Sequence, residues 1–184
     1  MLMGSSPYPK CLFLFLLHAC LLLILSSTKE SSGLVQRPGR GLITATCNRT
    51  TSFNLCIETL ESDPRSFKSD VKGLALISLE KSLTKTNELL DYCVDLFKDP
   101  VLYDRLYGTC IEELRPAVEQ DLPGAISALK SNKYGDSKLG ADEAVRHAHI
   151  LRDKLITRKL PFLVFSELVG EMCSLASVIV STLQ

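Results

Sequence analysis

The sequence has no tryptophan and few aromatic residues, and histidine occurs only three times. Lysine and arginine together number 21, as do aspartate and glutamate, so the net charge at neutral pH is zero. A general nucleic-acid binder would carry a basic excess or patch, and this balance argues against one. Strand-like alternation of polar and apolar residues is also nearly absent. The composition therefore favours a helical protein without a nucleic-acid partner.

Catalytic motifs are missing as well. The chain contains no G-x-S-x-G, no G-x-x-x-x-G-K and no G-x-G-x-x-G. Beyond the N-terminal region the histidines are His147 and His149, which point in different directions on a helix because they are two residues apart. A helical metal pair needs a spacing of three or four. We expect no metal site and no enzymatic activity.

The N-terminal region has the pattern of a leader. Lys10 precedes an unbroken apolar block from Cys11 to Leu25, and the small residues Ser26 and Ser27 follow. This order is typical of a secretory signal peptide. The alternative is a transmembrane anchor, but the block is shorter than the ~20 residues that a span needs. We expect a signal peptide over residues 1–27, a flexible lead-in over 28–42 and one domain over 43–184, with no membrane contact after cleavage.

The cysteines beyond the leader are Cys47, Cys56, Cys93, Cys110 and Cys173. A secreted protein meets an oxidising compartment that favours disulfides. The odd number leaves at least one thiol free or available to another chain. Cys47 and Cys56 are near enough in sequence to close a small loop or a short helical hairpin. Asn48 begins an Asn-Arg-Thr acceptor pattern for N-linked glycan, directly after Cys47, so that its occupancy stays open.

Long helical patterns fill most of the remaining chain. A stripe with steps of three and four predicts a first long helix from Ser69 or Asp70 to just before Pro100. A second helix is predicted from about Val101 to Ser131. It should bend or break at its two prolines, because each removes a backbone donor. The stripe of the first helix consists of Leu76, Leu79, Leu83, Thr86, Leu90, Cys93 and Phe97, which makes Cys93 a small buried apolar residue.

Two further helices complete the pattern. The composition of Ser131–Gly140 predicts a loop, followed by a third helix over about Ala141–Thr157 and a last helix that begins near Pro161. Four amphipathic helices with short connections favour an antiparallel four-helix bundle. The predicted fold class is therefore all-α, with the segment around Cys47 and Cys56 outside the bundle.

The stretch "TCNRTTSFNLCIETLESDPRS", followed by "DVKGLALISL", resembles the N-terminal signature of the plant invertase and pectin methylesterase inhibitor family. In that signature a Cys, a Thr, an aromatic residue, a second Cys and a Leu precede Ser-Asp-x-Arg-Ser. The likeness continues through "DPVLYDRLYGTC", "LPGAISALKSNKY" and "MCSLASVIVSTLQ", and covers about residues 43–184. The matching positions are Cys47, Thr50 or Thr51, Phe53, Cys56, Leu60, Ser62, Asp63, Arg65, Ser66, Asp70, Leu74 and Ala75.

The resemblance implies a secreted four-helix bundle with an N-terminal helical hairpin extension, closed by a Cys47–Cys56 disulfide. Such proteins inhibit a plant carbohydrate enzyme by covering its binding cleft in a one-to-one complex, without a cofactor. The expected location is the apoplast, with the vacuole as the alternative.

The resemblance also implies a second disulfide, between the second and third bundle helices. Cys110 matches its first half. In the third helix "LRDKL" places Leu151 where the partner Cys should be and Leu155 where a Phe should be. Cys110 therefore lacks its usual partner. Cys93 and Cys173 are the alternatives, and sequence alone does not give the Cα separation that decides between them.

The enzyme that is inhibited is ambiguous by resemblance. "ESDPRS", "DPxLxxR" and Cys173 favour pectin methylesterase, whereas "LALI" and "LPGAISAL" favour acid invertase. Some invertase inhibitors carry Pro-Lys-Phe in the loop before the third bundle helix, and only the Lys survives in Ser137-Lys138-Leu139 here. We place pectin methylesterase first and acid invertase second. The candidate contact residues are Glu112, Glu113, Tyr134, Lys138, Asp142 and Arg146.

The alternatives from other classes of secreted helical protein are a lipid carrier and a signalling protein. A lipid carrier of this size usually has eight cysteines in a tight framework, which this chain lacks. The more serious alternative is a diverged family member that no longer inhibits an enzyme, because the second disulfide and the loop both depart from the family pattern.

Overall fold

The computed structural model describes residues 39–99, 105–156 and 162–184. Within these ranges all regular secondary structure is helical, which confirms the predicted class. The predicted leader and most of the predicted lead-in lie outside the described residues. The α-helices are α1 (Arg40–Cys47), α2 (Phe53–Glu61), α3 (Val71–Lys98), α4 (Arg105–Pro116), α5 (Leu122–Lys130), α6 (Tyr134–Ile156) and α7 (Leu163–Ser181).

The described residues form a bundle with four helical members, which are α3, the consecutive helices α4 and α5, α6, and α7. Helix α7 packs against α3 and α6, and the α4–α5 member packs against α3 and α6. The core is aliphatic. Its largest fully buried side chains include Leu74, Leu79, Leu89, Leu114, Leu122, Leu129, Leu151, Leu155 and Ile179.

Helix α3 has the predicted limits. The Asp70 side chain accepts a hydrogen bond of 2.7 Å from the Gly73 amide, which satisfies one of the free donors at the helix start. Most of the predicted stripe is buried or partly buried, whereas Phe97 near the C-terminal end is 36% exposed. The apolar period therefore identified the core side of this helix, with an error at its last turn.

The predicted second helix breaks as expected near its prolines. Helix α4 ends at Pro116, a π-helical segment follows over Ala117–Asp121, and α5 begins at Leu122 with Pro123 in its first turn. A proline inside a helix lacks the amide hydrogen for the regular backbone bond, and a π-bulge is one way to absorb that loss. The predicted start near Val101 lies outside the described residues.

The predicted loop over Ser131–Gly140 is wrong for most of its length, because α6 begins at Tyr134 rather than near Ala141. Asn132 takes a left-handed conformation with φ 60°, and the Lys133 amide donates to the Ala128 carbonyl oxygen at 2.9 Å. A left-handed residue followed by such a backbone hydrogen bond is typical of the C-terminal end of a helix, and here it ends α5. Gly140 lies inside α6, where an added Cβ would stand 2.7 Å from the Asp121 carbonyl oxygen. It marks a close helix contact rather than a loop.

The N-terminal hairpin consists of α1 and α2, and Arg40 Nε donates to Glu61 Oε1 at 2.8 Å across it. A 3-10 turn over Pro64–Lys68 leads from the hairpin to α3. In this turn Arg65 bonds both Asp63, at 2.7 Å, and Glu80 of α3, at 2.8 Å. These bonds give the Ser-Asp-x-Arg-Ser motif a structural role.

Helix α7 is strongly apolar. It has 19 residues, and an 18-residue window within it has a mean hydropathy of 1.8, which by length and composition alone would allow a membrane span. In the structure 56% of that window is buried, and Ser82 Oγ of α3 donates to the Met172 carbonyl oxygen at 2.9 Å. Its hydropathy is accounted for by its place in the core.

Candidate functional site

Among the described residues, two disulfides join neighbouring helices. Cys47 and Cys56 join α1 to α2 with a Cα–Cα separation of 5.5 Å. Cys93 and Cys110 join α3 to α4 with a separation of 6.2 Å. Of the alternatives that the sequence left for Cys110, the structure therefore has Cys93, and the interpretation of Cys93 as a plain apolar core residue is corrected. Both pairs are within the range that a disulfide allows.

Cys173 is a free thiol in the core. It is fully buried, and its Sγ lies 3.9 Å from Thr86 Oγ1. Burial raises the pKa of this thiol to about 12, against a small lowering effect of the Thr86 contact. Since thiolate is the reactive form, burial makes Cys173 a poor nucleophile in the folded protein.

Leu151 occupies the place that the family pattern assigns to a cysteine. It is fully buried on α6, as is Leu155 one turn later. Helices α4 and α6 consequently have no disulfide between their described residues. Side-chain packing and polar contacts hold these two helices together.

The polar contacts centre on Glu113 of α4. Lys154 Nζ donates to Glu113 Oε1 at 2.7 Å, and His147 Nδ1 lies 3.2 Å from Glu113 Oε2. Both partners belong to α6. Burial by itself would raise the pKa of the Glu113 carboxyl, but the bonds from Lys154 and His147 outweigh it and hold this pKa below its usual value.

Asp121, in the π-helical segment, stands on the other side of the same imidazole. Its Oδ2 lies 3.7 Å from His147 Nε2. This oxygen is buried and accepts no hydrogen bond from the described residues. Burial raises the pKa of the Asp121 carboxyl, and nearby Glu143 adds to the rise, whereas His147 and Arg146 oppose it.

Arg146 connects this cluster to solvent. Its Nε donates to Glu143 Oε2 at 2.7 Å, and its Nη2 lies 3.2 Å from His147 Nε2. About half of its side chain, 52%, is exposed. We call the surface formed by these groups, together with exposed Glu112, the α4–α6 face; its residues are Glu112, Glu113, Asp121, Glu143, Arg146, His147 and Lys154.

The other predicted contact residues lie nearer the start of α6. Lys138 and Ser177 both bond the Asp142 carboxylate, which links α6 to α7. Tyr134 Oη donates to Asn132 Oδ1 at 3.1 Å, and Lys72 Nζ donates to the same oxygen at 2.6 Å. These residues therefore form helix-end contacts, apart from the Glu113 cluster.

The segment predicted to be an exposed loop is a helical turn. Ser137 is fully buried, Lys138 is paired within α6, and only Leu139 projects, with 62% of its surface exposed. Leu139, Asp121 and Glu143 line a groove of about 490 Å³ between α5 and α6. The three residues that were expected to share a loop tip consequently face different surroundings.

Four members of the face, Asp121, Glu143, His147 and Lys154, were not among the predicted contact residues. The prediction for the histidines concerned metal binding alone, and no group of three His, Cys, Asp or Glu side chains in the described ranges is arranged to hold a metal ion. A possible signal was the spacing of His147 and Lys154, seven apart and so on one side of α6.

Asn48, the predicted glycan acceptor, is exposed just beyond the end of α1. The Thr50 hydroxyl of the same pattern donates to the Cys47 carbonyl oxygen at 2.8 Å. The position is accessible in the folded protein, and glycosylation there stays a prediction.

The described residues form a helical bundle with a braced N-terminal hairpin and a charged face between α4 and α6. Comparison with protein families identifies the class of protein. The family model described as plant invertase/pectin methylesterase inhibitor matches residues 41–161. The chain belongs to this family, as the resemblance predicted, and the family is one of inhibitors rather than enzymes.

Similar proteins include inhibitors of both enzyme types. The chain is 33% identical over 129 residues to "Pectinesterase inhibitor" of Actinidia deliciosa, which covers 66% of this chain and 69% of that protein. It is also 33% identical over 104 residues to "Cell wall / vacuolar inhibitor of fructosidase 1" of Arabidopsis thaliana, but it spans only 49% of that protein. It is 33% identical over 138 residues to "Cell wall / vacuolar inhibitor of fructosidase 2" of the same species, a match that covers 72% of this chain and 76% of that protein.

The fold is shared with solved structures. The crystal structure of a mutant form of a pectin methylesterase inhibitor from Arabidopsis superposes with a TM-score of 0.65 over 77% of this chain and 97% of the other. The sequence identity is 20%, so the likeness concerns the fold alone.

Proposed function

We propose that the protein is a secreted inhibitor of plant pectin methylesterase, which it blocks one-to-one by placing the α4–α6 face over the enzyme's carbohydrate-binding cleft. The face joins two bundle helices and carries both signs of charge, with Glu112 and Arg146 exposed. A pectin-binding cleft is built for a polar, anionic polymer, so that polar and charged contacts suit it. The apoplast is the proposed site of action, and the vacuole is the alternative.

The conformation of Ser137–Leu139 carries the choice of pectin methylesterase over invertase. An inhibitor that reaches into an invertase active site with a loop needs these residues to project. Here Ser137 is fully buried and Lys138 is paired with Asp142 on the same helix, so that of the three only Leu139 projects. A single projecting leucine on a helix does not reproduce such a loop.

Acid invertase is the second candidate, because two of the relatives are named as inhibitors of fructosidase. The remaining alternative is a bundle that inhibits neither enzyme. The described parts of α4 and α6 lack the disulfide that the family pattern places between them, and this departure is the reason to test for a bundle without inhibitory activity.

The test is a titration of the purified, oxidised protein against a plant pectin methylesterase and an acid invertase, side by side at pH 5 to 6. We expect stoichiometric loss of pectin methylesterase activity and no effect on invertase. Loss of invertase activity alone would overturn the choice of enzyme. Loss of neither, with the helical fold verified by circular dichroism, would overturn the inhibitory function.

A further inference from the structure

His147 stands between two carboxylates and a guanidinium on the α4–α6 face. Nδ1 faces Glu113 Oε2 at 3.2 Å, whereas Nε2 faces both Arg146 Nη2, at 3.2 Å, and Asp121 Oδ2, at 3.7 Å. The imidazole is largely enclosed, with 13% of its side chain exposed. The ring therefore has one partner at Nδ1 and two competing partners at Nε2.

The observed distances fit the neutral ring. A guanidinium only donates hydrogen bonds, so Nε2 must accept if it bonds Arg146. The proton of the neutral ring then lies on Nδ1, where the Glu113 carboxylate accepts it. In this arrangement Asp121 Oδ2 faces a lone pair and has no donor, which agrees with its lack of a hydrogen bond.

A protonated ring reverses the preference at Nε2. Both ring nitrogens become donors, so Nε2 no longer accepts from Arg146 and instead donates toward Asp121. The buried Oδ2 then gains its missing partner. Arg146 keeps Glu143, while its Nη2 group becomes available at the surface.

We propose that His147 is a positioning residue that exchanges Arg146 for Asp121 when it binds a proton, so that Arg146 is presented on the α4–α6 face at acidic pH. Histidine is the side chain whose charge ordinarily changes between about pH 5 and 8. The effect on inhibition rests on the proposed function, whereas the exchange itself is a property of the free protein.

The groups around the ring come from all three elements packed there. Glu113 belongs to α4, Asp121 to the π-helical segment, and Glu143, Arg146 and Lys154 to α6. Glu113 and Asp121 are the two carboxylates nearest the ring. Burial raises the pKa of the Asp121 carboxyl, and its Oδ2 has no donor at the observed distances.

The exchange is tested by an NMR pH titration of the free protein, in which His149 serves as the internal control. Asp121→Asn removes the charge and supplies an amide donor that stabilises neutral Nε2. We expect it to lower the titration midpoint of His147 relative to the wild type, and to leave that of His149 unchanged. Arg146→Gln should raise the His147 midpoint. Unchanged His147 midpoints in both variants would overturn the proposal.

The functional consequence is tested by inhibition measured from pH 5 to pH 7.5 with the wild type, His147→Gln and His149→Gln. We expect about fivefold tighter inhibition at pH 5 in the wild type and in His149→Gln, the size of one exposed ionic contact, and a flat profile in His147→Gln. If no enzyme is inhibited, the NMR titration still decides on the exchange. A pH-dependent profile retained by folded His147→Gln would overturn the role in presenting Arg146.

Discussion

The disulfide between Cys93 and Cys110 makes a quantitative prediction about stability. The two residues are 17 apart in sequence, and both are fully buried. Opening a loop of this size restores chain entropy to the unfolded state worth about 3 kcal/mol. In Cys93→Ala/Cys110→Ala the loss of two buried sulfur atoms adds about 1 kcal/mol. We therefore expect the free energy of unfolding to fall by about 4 kcal/mol.

The assay is urea unfolding followed by circular dichroism. With a urea slope of about 2 kcal/mol per molar, the double variant should unfold at a midpoint about 2 M lower. Cys173→Ala is the matched control, because it removes one buried sulfur atom without opening a loop, and it should cost half of that packing loss, about 0.5 kcal/mol.

Two results would refute this reasoning. One is a double variant as stable as Cys173→Ala. The other is a peptide map of the unreduced protein, denatured in the presence of an alkylating reagent, in which Cys110 is modified and Cys173 is not. Either would mean that Cys110 is not paired with Cys93 in solution.

Further predictions concern single side chains. The Arg65 side chain, by its hydrogen bond, lowers the pKa of the Asp63 carboxyl to about 2, against the effect of burial. A carboxyl whose pKa is lowered on folding stabilises the fold at pH values above its pKa in the unfolded chain. Asp63→Asn should therefore cost about 1–2 kcal/mol at pH 6. In urea unfolding this difference should shrink as pH falls from about 4 to 2, and a constant difference would contradict the ionic explanation. Cys173 should resist a thiol reagent at pH 8 in the folded protein and react once urea unfolds it, and rapid labelling without urea would contradict its burial. Leu151→Ala should cost about 3–5 kcal/mol in the same unfolding assay, and a cost below 1 kcal/mol would contradict its place in the core.

Much of the fold follows from local sequence patterns. The apolar period of α3, with Asp70 at its start and Pro100 beyond its end, gave the limits of that helix, and Pro116 with Pro123 located the break in the second bundle helix. Helix and cap signals act over one or two turns, so they can be recognised without tertiary contacts. The start of α6 could not, because Gly140 resembles a loop residue until its close approach to the Asp121 carbonyl oxygen is known.

The candidate face depended on contacts between distant parts of the chain. Glu113 and His147 are 34 residues apart, and Glu113 and Lys154 are 41 apart. No local pattern specifies such pairs, since they require the relative position of α4 and α6. For the same reason the partner of Cys110 stayed open until a Cα–Cα distance was available.

The central claim is that the α4–α6 face contacts the inhibited enzyme, and a matched pair of charge swaps tests it most directly. Glu143→Arg/Arg146→Glu reverses an i,i+3 ion pair on this face, and Lys85→Glu/Glu88→Lys reverses an equally exposed i,i+3 pair on α3. Neither swap changes the net charge. The account predicts that the α6 swap weakens inhibition of pectin methylesterase about tenfold or more while the α3 swap leaves it unchanged, as expected for charges set against the wrong sign across an interface. Unchanged inhibition by the α6 swap, or an equal loss in the α3 swap, would contradict it.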